Sequence, residues 1–354
     1  MLVTRSLALA LAVRWRRGVW LSLAALLAAI LSISPYLTSS SEMVRLRNAL
    51  LVADGTTAGF DWTPTNWPAD FLLENRPADP TFVAAAQRLG LAEMQSDWER
   101  VLAISRHLLS HPDLVGTPIQ DSLIETHRQI LTNGTGYCGD FTRVFMALAL
   151  ASGIPVRAWA FTSNGFGGEG HIWPEIWNRE LKRWQLVDIF NNFYFRDNAG
   201  VAVSALEFRA AMLNAPKSIH HELLHAGARP GYEIEEKMWA WYRKGLPEWH
   251  MLWGNNVFSY DHALNVPGIG RVSYPLDQLK GIFLGVHPKL HLMADDTNRI
   301  KAASVMRLRL QLKLVIGVVL VSTFALVFCL IALLYTKGRN APVQLVPDVA
   351  RNGA

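Results

Sequence analysis

One thiol stands apart from everything around it. Cys138 lies in the run G-T-G-Y-C-G-D-F at residues 134–141, while the other of the two cysteines, Cys329, sits inside a long apolar stretch near the C-terminus. A single cysteine is most often a small buried hydrophobe. This one follows a glycine-rich turn and opens an apolar helix. The partial positive charge of a helix N-terminus favours the thiolate, which is the nucleophilic form. Gly139 after it, like the glycine before it, lets a substrate approach the backbone. A thiolate nucleophile needs a base within hydrogen-bond reach and a third group that orients the base. His171 and Asp188 have the chemistry for those two roles.

A second motif competes with the first. His221, Glu222 and His225 fit H-E-x-x-H, which on a helix would set two imidazoles and a general base around zinc. Short motifs also arise by coincidence in a chain with 11 histidines. The downstream extension of the motif fails, because Ala228 and Gly231 stand where its glycine and third histidine belong. Glu248 could serve as a third ligand, but so could many other glutamates. The pattern reads as coincidence or a surface histidine cluster, with a zinc peptidase as a minor alternative. Cys–His–Asp chemistry itself calls for no cofactor and no metal.

Particular elements must position these groups. Asp97 to Leu109 is amphipathic with Ser96 as its N-cap, and Gln120 to Leu131 reads as a second helix stopped by N-G-T-G at 133–136. Phe141 to Ala151 is a strongly apolar helix ended by Gly153 and Pro155. Val156 to Thr162 reads as a strand, Asn164 to Gly170 as a glycine-rich loop. His171 to Trp177 and Trp184 to Ile189 read as two strands joined by a polar turn. If these two strands pair as an antiparallel hairpin, the start of the first lies beside the end of the second. His171 and Asp188 are then neighbours on one face, which Trp173, Glu175 and Leu186 share. Residues 42–75, rich in Trp, Pro and Asn, read as irregular. The stretch 196–298 is mixed; Trp239, Trp241, Tyr242, Trp249 and Trp253 in it read as core or membrane-interface packing, with a sugar-stacking platform as the alternative.

The order G-x-G-Y-C-G-D-F, apolar helix, G-I-P-V-R (153–157), H-x-W-x-E (171–175) and W-x-L-x-D (184–188) resembles the transglutaminase-like superfamily of papain-type cysteine enzymes. The likeness covers about residues 131–189 and extends weakly to 95. It implies an α+β core with the Cys138 helix packed on an antiparallel sheet that carries His171 and Asp188. It implies Cys138 as nucleophile, His171 as general base and acid, and Asp188 as the group that fixes and charges His171. Tyr137, Gly139, Trp173 and Glu175 match the pattern as site-lining positions, Glu175 with a structural role. The implied activity is amide cleavage or acyl transfer, with a peptide, protein or envelope-polymer amide as substrate. The Cys138 N–H would be one oxyanion donor; a second is not identified. Some members of the superfamily have lost the triad and act as scaffolds, so a non-catalytic binding module assisting envelope polysaccharide assembly is the alternative.

The rest of the chain says where this chemistry takes place. At 354 residues, 51% hydrophobic and only 18% charged, the chain is not disordered, and two cysteines exclude a disulfide scaffold or a Cys₄ zinc site. Gly18 to Ser41 and Leu314 to Thr336 carry no charge, and each is long enough to cross a bilayer as a helix. The first is flanked by a long basic segment, and Pro35 follows its best small-residue site, so it reads as an uncleaved anchor rather than a signal peptide. The expected organisation is a basic N-terminus (1–17), a transmembrane helix (18–38), a domain (39–298, core about 95–195), a basic juxtamembrane segment (299–313), a second transmembrane helix (314–336) and a tail (337–354). Basic residues at the termini and on the loop side balance. The first helix usually dominates orientation, which puts the termini in the cytoplasm and the domain outside, facing the periplasm of an inner membrane. The net charge of +5 and pI near 9.3 come from these flanks. Residues 42–298 hold more acid than base, so the pI is no argument for a nucleic-acid partner.

Overall fold

The computed structural model describes residues 2–53, 59–264, 274–293 and 295–338. Most of the expected tail, with Arg339 and Arg351, lies outside the described residues. The chain divides into two units, one of terminal helices (up to Thr38 and from Leu310) and one formed by Ser39–Arg309.

In the first unit, helix Leu2–Ile33 runs into one 3₁₀ turn, Ser34–Leu37, and a second helix ends at Gly338. Ala10–Leu37 and Arg299–Thr336 are long and apolar enough to cross a membrane, with mean hydropathy of 1.9 and 3.0. The 306–314 run, which alternates like a strand, is helical and continuous with the second of these. The two helices pack antiparallel. Trp15 meets the edge of Phe328 at 5.5 Å, and at the other end the Gln311 amide donates to the Ser32 carbonyl at 3.4 Å. Gly18 permits the close approach, since a Cβ there would stand 2.5 Å from Cys329 Sγ. Gly18→Leu is therefore expected to weaken this packing by about 1–3 kcal/mol. Disulfide trapping between cysteines placed at Trp15 and Phe328 should fall sharply in that variant; an unchanged yield would refute the contact.

In the second unit, β1 (Val156–Thr162), β2 (Gly170–Asn178), β3 (Arg183–Asp188), β4 (Phe193–Asp197), β5 (Ile219–Leu223), β6 (Trp249–Trp253) and β7 (Lys289–Leu292) form one sheet. Its order is β5-β4-β3-β2-β1-β6-β7, antiparallel at every step. Every residue of β1 is buried, because both faces of the sheet are covered. Val156, Ala158 and Ile176 face a core of helices that includes Phe82, Ile104, Ile130 and Phe145. Trp159, Phe161, Trp173 and Leu186 face a second, aromatic core with Phe208, Tyr242, Trp249 and Trp253. This is the mixed helix and antiparallel-sheet architecture expected of the core.

Two helices precede the Cys138 helix much as expected. Asp97–Leu108 has Ser96 accepting from the Glu99 N–H at 3.1 Å. The next is Leu123–Asn133, which starts three residues later than expected because Ser122, not Gln120, caps it. Residues 42–75 are not wholly irregular: Ser40–Leu51 is a helix capped by Ser39, which accepts from the Glu42 N–H.

Candidate active site

Cys138 is the first residue of helix Cys138–Ala151. Asp140 fixes that N-terminus, accepting from the N–H groups of Tyr137 at 2.9 Å and Ile119 at 3.1 Å. The preceding glycines are sterically required: a Cβ at Gly134 would strike the Asp113 carbonyl, and one at Gly136 would stand 2.8 Å from the Phe141 ring. Gly139 is different, since a Cβ there would sit 3.8 Å from Ile172, an ordinary contact. The helix lies on the even-numbered face of β2, where the Thr142 hydroxyl donates to the Ile172 carbonyl at 3.0 Å. His171 is near the start of β2 and Asp188 ends β3, with the register Glu175↔Leu186 between them.

That register brings His171 Nε2 within 2.9 Å of Asp188 Oδ2, and both side chains are buried. Cys138, Gly139, Tyr137 and His171 line one cavity of about 330 Å³. Cys138 is only half-buried. His171 is packed among Trp173 and Trp241, each at 4.8 Å between ring centres. Burial in this cage is the largest single influence on the imidazole and disfavours its charge. The Asp188 charge and hydrogen bond, with Cys138 adding to them, outweigh it and raise the pKa to about 9. His171 Nδ1 is buried and has no nitrogen or oxygen partner among the described residues; the imidazole's remaining polar contact is with the Cys138 thiol. With Nε2–H committed to Asp188, Nδ1 is the nitrogen left to exchange a proton.

Two residues that sequence reasoning missed complete the carboxylate's shell. The Tyr242 hydroxyl donates to Asp188 Oδ2 at 2.5 Å. Asn191 donates to the same oxygen from Nδ2 at 2.9 Å, and to Oδ1 from its backbone N–H at 3.1 Å. Burial, the largest influence on Asp188, favours its neutral form. The His171 charge and these hydrogen bonds together win and hold the carboxyl below its ordinary range. The signal for Tyr242 was present: a tyrosine at i+4 from Met238 on a buried helix stripe must find a partner for its hydroxyl.

Trp173 and Glu175 share the His171 face but do not line the cavity of Cys138. Glu175 is a buried strut, meeting Arg157 Nε at 2.5 Å, Trp159 Nε1 at 2.7 Å and the Ala205 N–H at 2.7 Å. The Arg157 guanidinium in turn lies over Trp184 at 4.0 Å and Trp62 at 4.5 Å. Removing one partner of a buried pair leaves the other charge uncompensated, so Glu175→Ala is expected to cost about 3–5 kcal/mol. Thermal unfolding should show it as a large fall in midpoint; a loss below about 1 kcal/mol would contradict the strut.

The competing motif does not have its required geometry. His221 and Glu222 lie on strand β5, so their side chains point to opposite faces, and His225 follows in a turn. His221 instead contacts Glu235 at 3.2 Å. The strand forms because it pairs with β4, and five residues are too few to impose a helix against that pairing. Among the described residues no cluster of three metal-ligating side chains occurs. Glu248 is fully buried and accepts from Gly165 N–H at 2.9 Å, Phe166 N–H at 2.7 Å, the Thr162 hydroxyl and Lys301 Nζ at 2.6 Å. It pins the glycine-rich loop that leads into His171. Of the aromatic stretch, Tyr242, Trp249 and Trp253 are core residues, while Trp239 and Trp241 are half-buried beside them.

The model of the transglutaminase-like superfamily matches residues 84–189. No curated protein and no solved structure matches the chain. Residues 84–189 thus carry a transglutaminase-like domain, and it contains Cys138, His171 and Asp188 but not Asn191, Trp241 or Tyr242.

Proposed function

We propose that this chain is a membrane-anchored cysteine amidase or acyl transferase whose domain faces outward from an inner membrane and acts on amides of the cell envelope. The observation that carries the reading is the buried His171–Asp188 pair beside a helix-N-terminal Cys138, all within the transglutaminase-like domain.

Each step follows from that arrangement. The Cys138 thiolate attacks an amide carbonyl, and the Cys138 N–H is one donor to the oxyanion. His171 protonates the leaving amine as the C–N bond breaks, and a thioester forms at Sγ. Water or a second amine, deprotonated by His171, then releases the acyl group. Asp188 keeps the proton on Nε2 and offsets the imidazolium charge.

The deciding measurement is the thioester itself. The full chain in detergent, mixed with an activated acyl ester, should gain the acyl mass on Cys138, and His171→Ala should suppress that labelling. Acylation that is absent, or indifferent to His171, would sink the reading in favour of a scaffold.

A further inference from the structure

The cavity beside Cys138 extends to an inner end that the reaction steps do not use. It exists because two small residues, Ala158 and Ala160, occupy the face of β1 toward the Cys138 helix. The registers set Ala160 between Ile172 of β2 and His250 of β6. The floor therefore crosses three strands, from Ile172 beside Gly139 to His250, a span of roughly 10 Å. Val44, Met146, Leu252 and Leu290 make apolar walls along it.

Of the polar side chains that also line this space, three have committed a donor to a backbone carbonyl and keep an acceptor. His250 Nδ1 is 2.9 Å from the Glu248 carbonyl. A carbonyl only accepts, so the proton is on Nδ1 and Nε2 holds a lone pair. His287 Nδ1 is fixed in the same way to the Pro288 carbonyl at 3.0 Å. Asn256 donates from Nδ2 to the Val286 carbonyl at 2.8 Å, and its buried Oδ1 has no donor among the described residues. Burial above all, helped by the charge of Arg47, holds His250 at about 4 and His287 at about 3, so neither imidazole charges at neutral pH. The cavity thus offers three acceptors. A methyl group would leave all three unpaired. An ammonium would meet the Arg47 charge, which is held in place by Asn48 and Gln278.

We propose that this inner end is the subsite for the acyl donor's side chain, and that it selects an uncharged group bearing N–H or O–H donors, a carboxamide or hydroxyl, over an ammonium or a methyl group. The inference rests on Cys138 being acylated, as proposed above.

The test uses p-nitrophenyl esters of short linear acids that differ only in the terminal group: carboxamide, hydroxyl, ammonium or methyl. In each, Cys138 Sγ bonds to the acyl carbon, the ester C–O bond breaks, and p-nitrophenol departs. The full chain in detergent should react with the carboxamide or hydroxyl ester at least about tenfold faster in kcat/KM than with the ammonium or methyl ester. His250→Leu and Asn256→Ser should each flatten that ratio, which is read within the variant and so survives partial loss of folded protein. Equal rates across the series, or a preference for the ammonium or methyl end, would overturn the subsite while leaving the Cys138 reading intact. Failure of every ester to acylate Cys138, in protein whose thiol still takes iodoacetamide, would remove both.

Discussion

Replacing Cys138 by alanine is expected to lower turnover of an amide substrate by about six orders of magnitude, the typical cost of removing a nucleophile that acts as one unit with its base. The fold should survive. Cys138 is half-buried at a helix N-terminus, and its cap is made by Asp140 through backbone groups that alanine keeps. The residual rate, set by the Cys138 N–H and by substrate binding, should no longer respond to His171→Ala, since the base then has no thiol to deprotonate. Protein level and thermal midpoint must be measured beside activity. Full activity, or an intact cellular phenotype at normal protein level, would exclude covalent catalysis at this position.

Asp188→Asn is expected to cost about 10⁴-fold in kcat, because an amide cannot hold the imidazole in the productive tautomer or offset its charge. The pH profile adds a readout that simple damage would not produce. In the wild type the imidazolium persists to about 9, so the alkaline limb of kcat/KM should lie there. Without the Asp188 charge and hydrogen bond, burial dominates and the limb should move below the ordinary 6.5 of histidine. Stability carries the same signature. His171 titrates higher in the folded than in the unfolded chain, so its contribution is complete below 6.5 and is lost as pH rises through about 9. The stability gap between wild type and Asp188→Asn should therefore narrow across that window. A limb that stays near 9 in the variant would mean another group sets it.

Sequence patterns gave most of what lies between Asp97 and Asp188, because those elements are punctuated locally. Gly134 and Gly136 stop one helix and open the next, and Gly153 and Pro155 separate the Cys138 helix from the short apolar run of β1. The helix Ser40–Leu51 escaped notice because the Trp, Pro and Asn of the following residues dominate the window. Its Ser39 cap with Glu42 three residues on was nonetheless a readable start. That Tyr242 needs a hydroxyl partner was readable, but not which one, since only helix Glu235–Gly245 brings it and Trp241 to His171 and Asp188; Asn191, three residues after Asp188, reaches the carboxylate locally. The H-E-x-x-H pattern, read as coincidence or a surface histidine cluster, kept zinc as a minor alternative for the opposite reason: spacing alone carries no statement about helix or strand.

The sheet order has a consequence for how the chain is made. The transglutaminase-like region contributes only β1, β2 and β3, the middle of the sheet. Both flanking sets, β4–β5 and β6–β7, come from residues synthesised afterwards. Until then, the three-stranded ribbon has two open edges, with Trp159, Trp173 and Trp184 uncovered on one face. Open edges and bare aromatic surface are what make a nascent chain adhere to its neighbours. If the domain crosses a membrane during synthesis, this ribbon emerges long before the strands that close it. The chain is thus expected to lean on holding chaperones in that interval, and truncations between 189 and 292 should aggregate rather than yield a smaller active enzyme.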